Sequence, residues 1–226
     1  MSIESDIEAL IDLLRPFGRL VKRRRRNPNR LAELEAVCGW LPDDMAKLYE
    51  RYDGIEIRTT LPEDQQTFFG PFFWKPAVSL LQSNKASRRR REFPILDEIN
   101  FSYSLKPWLK LSLTPLTRGG YVMTFAKQVS SDKRYPAFDS LTSMIRTYTA
   151  AFRNGSFSFD SEGAAQIDKA GFAATVADHN DHCDYWLADL EGRVDFEIDK
   201  LERGEIRPRE HPVPGYELLR KSGYDI

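Results

Sequence analysis

The 226-residue chain carries 33 basic and 34 acidic side chains, so its net charge of −1 points to neither nucleic acid nor a membrane surface. A chain of this length buries about 70% of its unfolded surface, and folding therefore requires no disulfide or metal. The two cysteines, Cys38 and Cys183, lie in separate helical patterns without metal-ligand spacing, and we expect a reduced chain.

The N-terminal residues MSIESDIEALIDLL are charged and amphipathic, unlike a signal peptide, and no stretch approaches the ~18 apolar residues of a membrane span. We therefore expect a cytoplasmic protein. Ser2 is placed to cap a first helix. The apolar stripe of this helix recurs at helical spacing and consists of Ile3, Ile7, Leu10, Ile11 and Leu14. Leu20 and Val21 extend the pattern.

A basic loop follows at residues 22–30, with six positive charges, and a second helix runs from there to Gly39. The stretch WLPDDMAKLYERYDGIEI (40–57) then predicts a helix, a turn and a strand. Pro42 suits a first helical turn, and Asp43 and Asp44 suit the positive end of the helix dipole. Asp53-Gly54 is expected to end the helix. The inward stripe is Met45, Leu48, Tyr49 and Tyr52.

The middle third of the chain reads as β-structure with few long helices, which favours an antiparallel sheet. The predicted strands are 67–74, 93–95, 99–105, 108–113 and 121–125, and Arg118-Gly119-Gly120 is a turn signal before the last of them. A second basic segment, residues 83–92, lies between these strands and carries five positive charges at positions 85–91.

The next clear helix is predicted within residues 138–155, with Asp139 or Ser140 as its cap and Gly155 as its end. We place a boundary near residue 160, which gives a main domain at 1–159 and an acidic helical extension with a tail at 160–226. Residues 160–205 hold thirteen acidic and four basic side chains. The extension carries one amphipathic stripe, formed by Leu187, Leu190, Val194, Ile198 and Leu201.

The stretch LAELEAVCGWLPDDMAKLYERYDGIEI (31–57) resembles the signature of the SMI1/KNR4 family, also called the SUKH superfamily. That signature is a helix ending in Glu, then Leu-Pro, an acidic pair, an aromatic-rich helix and Asp-Gly. The matching residues are Glu35, Leu41, Pro42, Asp43, Leu48, Tyr52, Asp53 and Gly54. Three later segments also fit: Phe93-Pro94-Ile95, Arg118-Gly119-Gly120-Tyr121 and Phe138-Asp139-Ser140-Leu141. The resemblance covers roughly residues 1–155.

The resemblance implies an α+β fold, with an antiparallel β-sheet flanked by helices. It also implies a protein that binds other proteins and has no shared catalytic machinery or cofactor. Many bacterial members are immunity proteins that bind and neutralise a toxin, so a cognate toxin domain is the expected partner. The alternative is a scaffold or regulatory interaction protein of the same family without a link to a toxin. The sequence leaves open whether the chain is a monomer or a homodimer.

The residues themselves offer little chemistry. The segment from His179 to Asp184 holds possible metal ligands, but no His-Glu-x-x-His pattern or distant ligand pair completes a site, so a polar helix junction is the simpler interpretation. The pair Asp43-Asp44 is better explained by the helix dipole than by acid–base catalysis. We therefore expect no catalytic, metal or cofactor residues, and no enzyme.

The two basic segments allow several interpretations. They are solvated loops, loops that face the acidic segment of the same chain, or surfaces for a partner, with nucleic acid the least favoured because the nearby aromatic residues follow core periodicity. Trp and Arg are the residue types that most often anchor interfaces. The predicted partner-binding residues are Trp74, Arg88, Arg89, Arg90 and Arg91. If these arginines face an acidic toxin, reversing their charge should slow association.

Overall fold

The structure is a computed structural model that describes residues 2–16, 19–22, 28–56, 76–90, 98–103, 109–127, 134–161, 165–181 and 183. These residues form a mixed α+β fold, which confirms the class predicted from the sequence. The helices are α1 Ile3–Leu14, α2 Pro28–Cys38, α3 Asp43–Arg51, α4 Ala77–Arg90, α5 Leu141–Asn154 and α6 Lys169–His179. The strands are β1 Arg19–Lys22, β2 Tyr52–Glu56, β3 Ile99–Tyr103, β4 Leu109–Pro115, β5 Tyr121–Lys127, β6 Arg134–Phe138, β7 Phe157–Phe159 and β8 Ala165–Ile167.

Helices α1 and α5 begin at predicted capping residues, and α5 also ends at the predicted glycine. Ser2 caps α1 by accepting a hydrogen bond from the Ser5 backbone, and the predicted apolar stripe of α1 is buried. Ser140 caps α5 in a reciprocal pair with Ser143, and Gly155 ends it in the left-handed region at φ 79°. Helix α1 packs against both α5 and α3, so these three helices form one layer of the core.

The main sheet has the order β3-β4-β5-β6, and every neighbouring pair is antiparallel. The predicted turn between β4 and β5 is confirmed: the Leu116 backbone donates to Gly120, and Gly119 and Gly120 both have positive φ. Both faces of β4 and β5 are buried. One face carries Leu111, Leu113, Met123 and Phe125, and the other carries Ser112, Thr114, Val122 and Thr124.

Two details around the second and third helices differ from the prediction. Helix α3 ends at Arg51 rather than at Asp53-Gly54, because residues from Tyr52 onward pair as β2 with β1. Gly54, with φ 100°, lies inside that strand, where the pairing register is irregular. Leu20, expected to continue the pattern of the first helix, belongs to β1 and lies opposite Ile55.

The interpretation of residues 83–92 as a solvated loop is wrong for residues 83–90, which belong to α4. Helix α4 forms because Leu80, Leu81 and Asn84 recur at helical spacing and are buried, and α2 packs against it. The helix was not predicted from the sequence because its few apolar residues are followed by a run of arginines. In the other basic segment, Lys22 ends β1 and residues 28–30 begin α2, while residues 23–27 lie outside the described residues.

The predicted boundary near residue 160 falls between two strands that pair with each other. Phe157 of β7 lies opposite Ile167 of β8, and α6 then packs on α5. Phe172 and Val176 of α6 are buried in the same core cluster as Tyr148. Residues up to at least 180 therefore belong to the main core, which corrects the division at 159. The predicted stripe at 187–201 and the predicted strands at 67–74 and 93–95 lie outside the described residues.

Candidate interaction surface

Three segments that carry the family resemblance meet in one hydrogen-bonded joint. The Tyr121 hydroxyl donates to the Asp44 carboxylate and accepts from the Leu141 backbone N–H at 2.8 Å. Asp44 also accepts from the Met45 backbone at 2.8 Å, and the Thr142 hydroxyl lies 3.4 Å from the same carboxylate. The joint thus ties the start of α3 to the start of β5 and to the start of α5.

Tyr121 is partly buried within this joint. Burial, followed by the charge and hydrogen bond of Asp44, raises the pKa of Tyr121 well above its ordinary value. The Trp40 ring packs beside the Tyr121 ring, with centroids 5.9 Å apart. The phenol therefore keeps its proton and bridges the starts of two helices.

Two further charged contacts fasten α1 to the rest of the core. The Arg51 guanidinium and the Tyr52 hydroxyl both donate to the Glu8 carboxylate, at 2.7 and 2.9 Å. The Arg146 guanidinium of α5 donates to Asp6 at 2.7 Å, and the Asp6 side chain is only 5% exposed. Because each pair joins different helices, these contacts fix the geometry of the helical layer.

A buried polar group lies on one face of the sheet. The Thr114 hydroxyl donates to the Glu98 carboxylate at 3.0 Å and lies 2.9 Å from the Thr124 hydroxyl. All three residues are buried, with Glu98 7% exposed. Hydrogen bonds between adjacent strands satisfy these groups, as buried polar groups require, so the cluster helps to fix the register of β4 and β5.

The segment considered for metal binding forms hydrogen bonds with α5 and with the residue that precedes its cap. The Asp139 carboxylate accepts from the Asp181 backbone at 2.7 Å and lies 3.7 Å from the Cys183 thiol. The Asn180 side chain accepts from the Asp139 backbone and donates to Thr147. Within the described part of the chain, no three His, Cys, Asp or Glu side chains lie together as metal ligands would. His182 lies outside that part.

The predicted partner-binding residues differ in their surroundings. Arg88 is half-buried, and its guanidinium donates to the Cys38 carbonyl at the end of α2 at 3.3 Å. Its Nε is buried without a hydrogen-bond partner. Arg89 is exposed. Trp74 and Arg91 lie outside the described residues, and of Arg90 only the backbone, at the end of α4, is described. Arg88 therefore has an intramolecular role that the sequence did not indicate.

The charge around this end of α4 is mixed but mostly positive. Glu33 of α2 lies 3.5 Å from Arg30 and 3.8 Å from Lys85, and all three side chains are between 41% and 46% exposed. One carboxylate is thus shared by two cations, while Arg89 lies beyond it along α4. Solvated pairs of this kind contribute little stability.

No protein-family model matches the chain, and neither a curated protein nor a solved structure shows significant similarity to it. Among the residues that the structure describes, no helix has the length and apolar character that crossing a membrane requires. The sequence identified the segments that meet at Tyr121, but not their contact, since Asp44 and Tyr121 are 77 positions apart.

Proposed function

We propose that this chain is a non-catalytic protein-binding module, an immunity protein of the SMI1/KNR4 type that binds and neutralises a cognate toxin in the cytoplasm. The observation that carries the proposal is the joint around Tyr121. Leu-Pro-Asp-Asp, Gly-Gly-Tyr and Phe-Asp-Ser-Leu are separate matches in the sequence, and each alone is weak. Their direct contact through Asp44, Tyr121 and Leu141 supports reading them as one fold signature.

The proposed mechanism is stoichiometric occlusion. Contacts between helices that lie far apart in the chain, such as the one from Arg146 to Asp6, hold the core together. A rigid scaffold of this kind loses little conformational entropy when it binds. A bound toxin domain is inactive because its active site is covered, so the mechanism calls for no cofactor. Positive charge at the end of α4 favours an acidic face on the partner and speeds the encounter.

The proposed contact set changes in one respect from the sequence-based one. Arg89 keeps its assignment, since its side chain is exposed, whereas Arg88 is assigned to holding α4 on α2. Trp74, Arg90 and Arg91 stay predictions from the sequence.

The test is a co-purification. A tagged copy is expressed in its native cytoplasm together with the products of the adjacent genes, and the complex is sized and identified by mass spectrometry. We expect one partner, in a fixed ratio, that carries a toxin domain. Recovery of only a second copy or of housekeeping proteins contradicts the immunity function and favours the scaffold alternative.

A further inference from the structure

The outward face of helix α6 is formed by alanines. Ala170, Ala174 and Ala177 are exposed and follow one another at spacings of four and three residues, so they lie on one side of the helix. The opposite side carries Phe172 and Val176, which are buried in the core. We call the three exposed alanines the α6 face.

The α6 face differs from an ordinary solvated helix surface. Residues 170–177 contain no charged side chain, although residues 160–205 hold thirteen acidic and four basic ones. A helix that packs on one side only normally carries charged or polar side chains on the other. Because the α6 face has no charged group, apolar side chains can cover it without desolvating a charge.

The chain itself supplies an apolar surface shortly after α6. The helical stripe predicted from the sequence begins seven residues after Asn180, the residue at which α6 ends. The stripe consists of Leu187, Leu190, Val194, Ile198 and Leu201. These residues lie outside the described part of the chain. Their spacing predicts a helix with one apolar side, which has to be buried against another surface.

The end of α6 determines where this segment starts. Asp181 and Cys183 both contact the Asp139 carboxylate next to the start of α5, at 2.7 and 3.7 Å. Helices joined by a short connection pack as antiparallel neighbours, with axes roughly 8–10 Å apart. The seven residues from Asn180 to Leu187 span at most about 25 Å, which is long enough for the segment to turn back along α6.

We propose that the stripe at 187–201 docks as a helix on the α6 face of the same chain. The branched side chains of the stripe lie against small alanines, and this pairing of large with small residues lets the two helices approach closely. A second copy of the chain is the competing occupant, but it has to bind without the high local concentration that the tether provides. The inference concerns how the chain packs on itself and is independent of the proposed toxin-binding function.

Hydrogen exchange of the full chain, read by mass spectrometry, tests the docking. In the unaltered protein we expect the amides of residues 187–201 to exchange at least about tenfold more slowly than those of an unstructured chain. Ala174→Glu places a charge in the centre of the α6 face and should restore fast exchange in this segment, while exchange in α5 changes by less than about twofold. Ala32→Glu makes the same change at an exposed position of α2 and should leave the segment protected.

A second variant separates docking from the stability of α6 itself. Ala170 lies in the first turn of α6, where a carboxylate interacts favourably with the helix dipole. Ala170→Glu should therefore keep α6 folded and still release the segment. If Ala174→Glu also speeds exchange in α5, the result of Ala170→Glu decides.

The exchange measurements are repeated at two protein concentrations. Protection that is lost in the α6 variants, kept in Ala32→Glu and independent of concentration supports docking within one chain. Unprotected amides at 187–201 in the unaltered protein, or equal effects of the α6 and α2 variants, would overturn the proposal. Protection that rises with concentration would also overturn it, because a second copy would then cover α6. The co-purification of a toxin is a separate readout, so either proposal can fail without the other.

Discussion

Tyr121 connects more of the molecule than its position after a hairpin turn indicates. Its hydroxyl donates to Asp44 at the start of α3 and accepts from the backbone of Leu141 at the start of α5. Both ends of this bridge are helix N-termini, where backbone N–H groups lack partners within the helix. The phenol accepts from the free Leu141 N–H of α5, and it donates to the Asp44 carboxylate, which in turn accepts from the Met45 N–H of α3. One hydroxyl therefore links the starts of two helices to the sheet.

Removing only the Tyr121 hydroxyl tests how much these two hydrogen bonds contribute to stability. We expect Tyr121→Phe to lower the free energy of unfolding by about 1–3 kcal/mol, because the Leu141 N–H and the Asp44 carboxylate both lose a partner. Urea unfolding of Tyr121→Phe, Asp44→Asn and the double variant forms a double-mutant cycle. The losses of the two single variants should not add up. Strict additivity would show that the two residues act independently and would contradict the hydrogen bond between them.

The raised pKa of Tyr121 makes a prediction about alkaline pH. A tyrosine whose folded-state pKa lies above its ordinary value of 10.0 retains its proton when the unfolded chain has lost it. Its contribution to stability is therefore present below pH 10.0 and is lost as the pH rises above that value. Burial likewise raises the pKa of Tyr49, which adds in the same direction.

Chemical unfolding measured at a series of alkaline pH values checks this. We expect the free energy of unfolding to fall above the ordinary tyrosine pKa, and to fall less steeply in Tyr121→Phe than in the unaltered chain. The comparison is between slopes, so the lower starting stability of the variant does not affect it. Equal slopes would mean that the Tyr121 pKa is the same in the folded and unfolded chains.

Arg88 and Arg89 are neighbouring arginines, of which only Arg88 is assigned a contact that stabilises the fold, so they form a matched pair of sites for mutation. Arg88→Ala should destabilise the protein by about 1 kcal/mol, since the bond to the Cys38 carbonyl and the packing of the side-chain stem are lost. Arg89→Ala should change stability by less than about 0.5 kcal/mol. Thermal unfolding of the two variants checks both values. A larger loss for Arg89 than for Arg88 would reverse the assignment.

At the scale of whole elements, the sequence predicted what local chemistry determines. Helices α1 and α5 have capping serines and clean apolar stripes, and both were predicted. Strand β1 was missed because it depends on pairing with β2, about 35 residues away along the chain. Helix α4 was missed because its apolar residues are few and end in an arginine run. The contact between Asp44 and Tyr121 was beyond sequence reasoning, since nothing in a motif states which distant residue it touches.

Helix α6 is the element whose place in the fold most changes the sequence-based picture. It follows the boundary expected near residue 160, yet Phe172 is 1% exposed and its ring lies 5.2 Å from that of Tyr148. We expect Phe172→Ala to destabilise the whole core by about 3–5 kcal/mol. Asp178→Ala, at an exposed position of the same helix, should cost less than about 0.5 kcal/mol.

Urea unfolding followed by the fluorescence of the tryptophans and by circular dichroism measures both variants. The two signals of Phe172→Ala should shift together to lower denaturant, because α6 and α5 share one core. A shift confined to a separate, earlier transition would instead make α6 part of an independent unit, as the boundary near residue 160 implied.

At the scale of the molecule, the described residues form a core whose polar contacts are directed inward. Asp44, Asp6, Glu8, Glu98 and Asp139 each accept hydrogen bonds from other elements. Asp44, one of the adjacent pair considered for acid–base chemistry, is thus engaged in holding the fold.

The account is tested most directly by a titration of toxin activity. The co-purified toxin domain is assayed at fixed concentration while this protein is added in increasing molar ratio, with the unaltered chain and Arg89→Glu compared. Stoichiometric occlusion predicts that activity falls linearly and vanishes at a fixed ratio for the unaltered chain, with Arg89→Glu requiring an excess. Toxin activity that persists at any excess of the unaltered chain would contradict the proposed function.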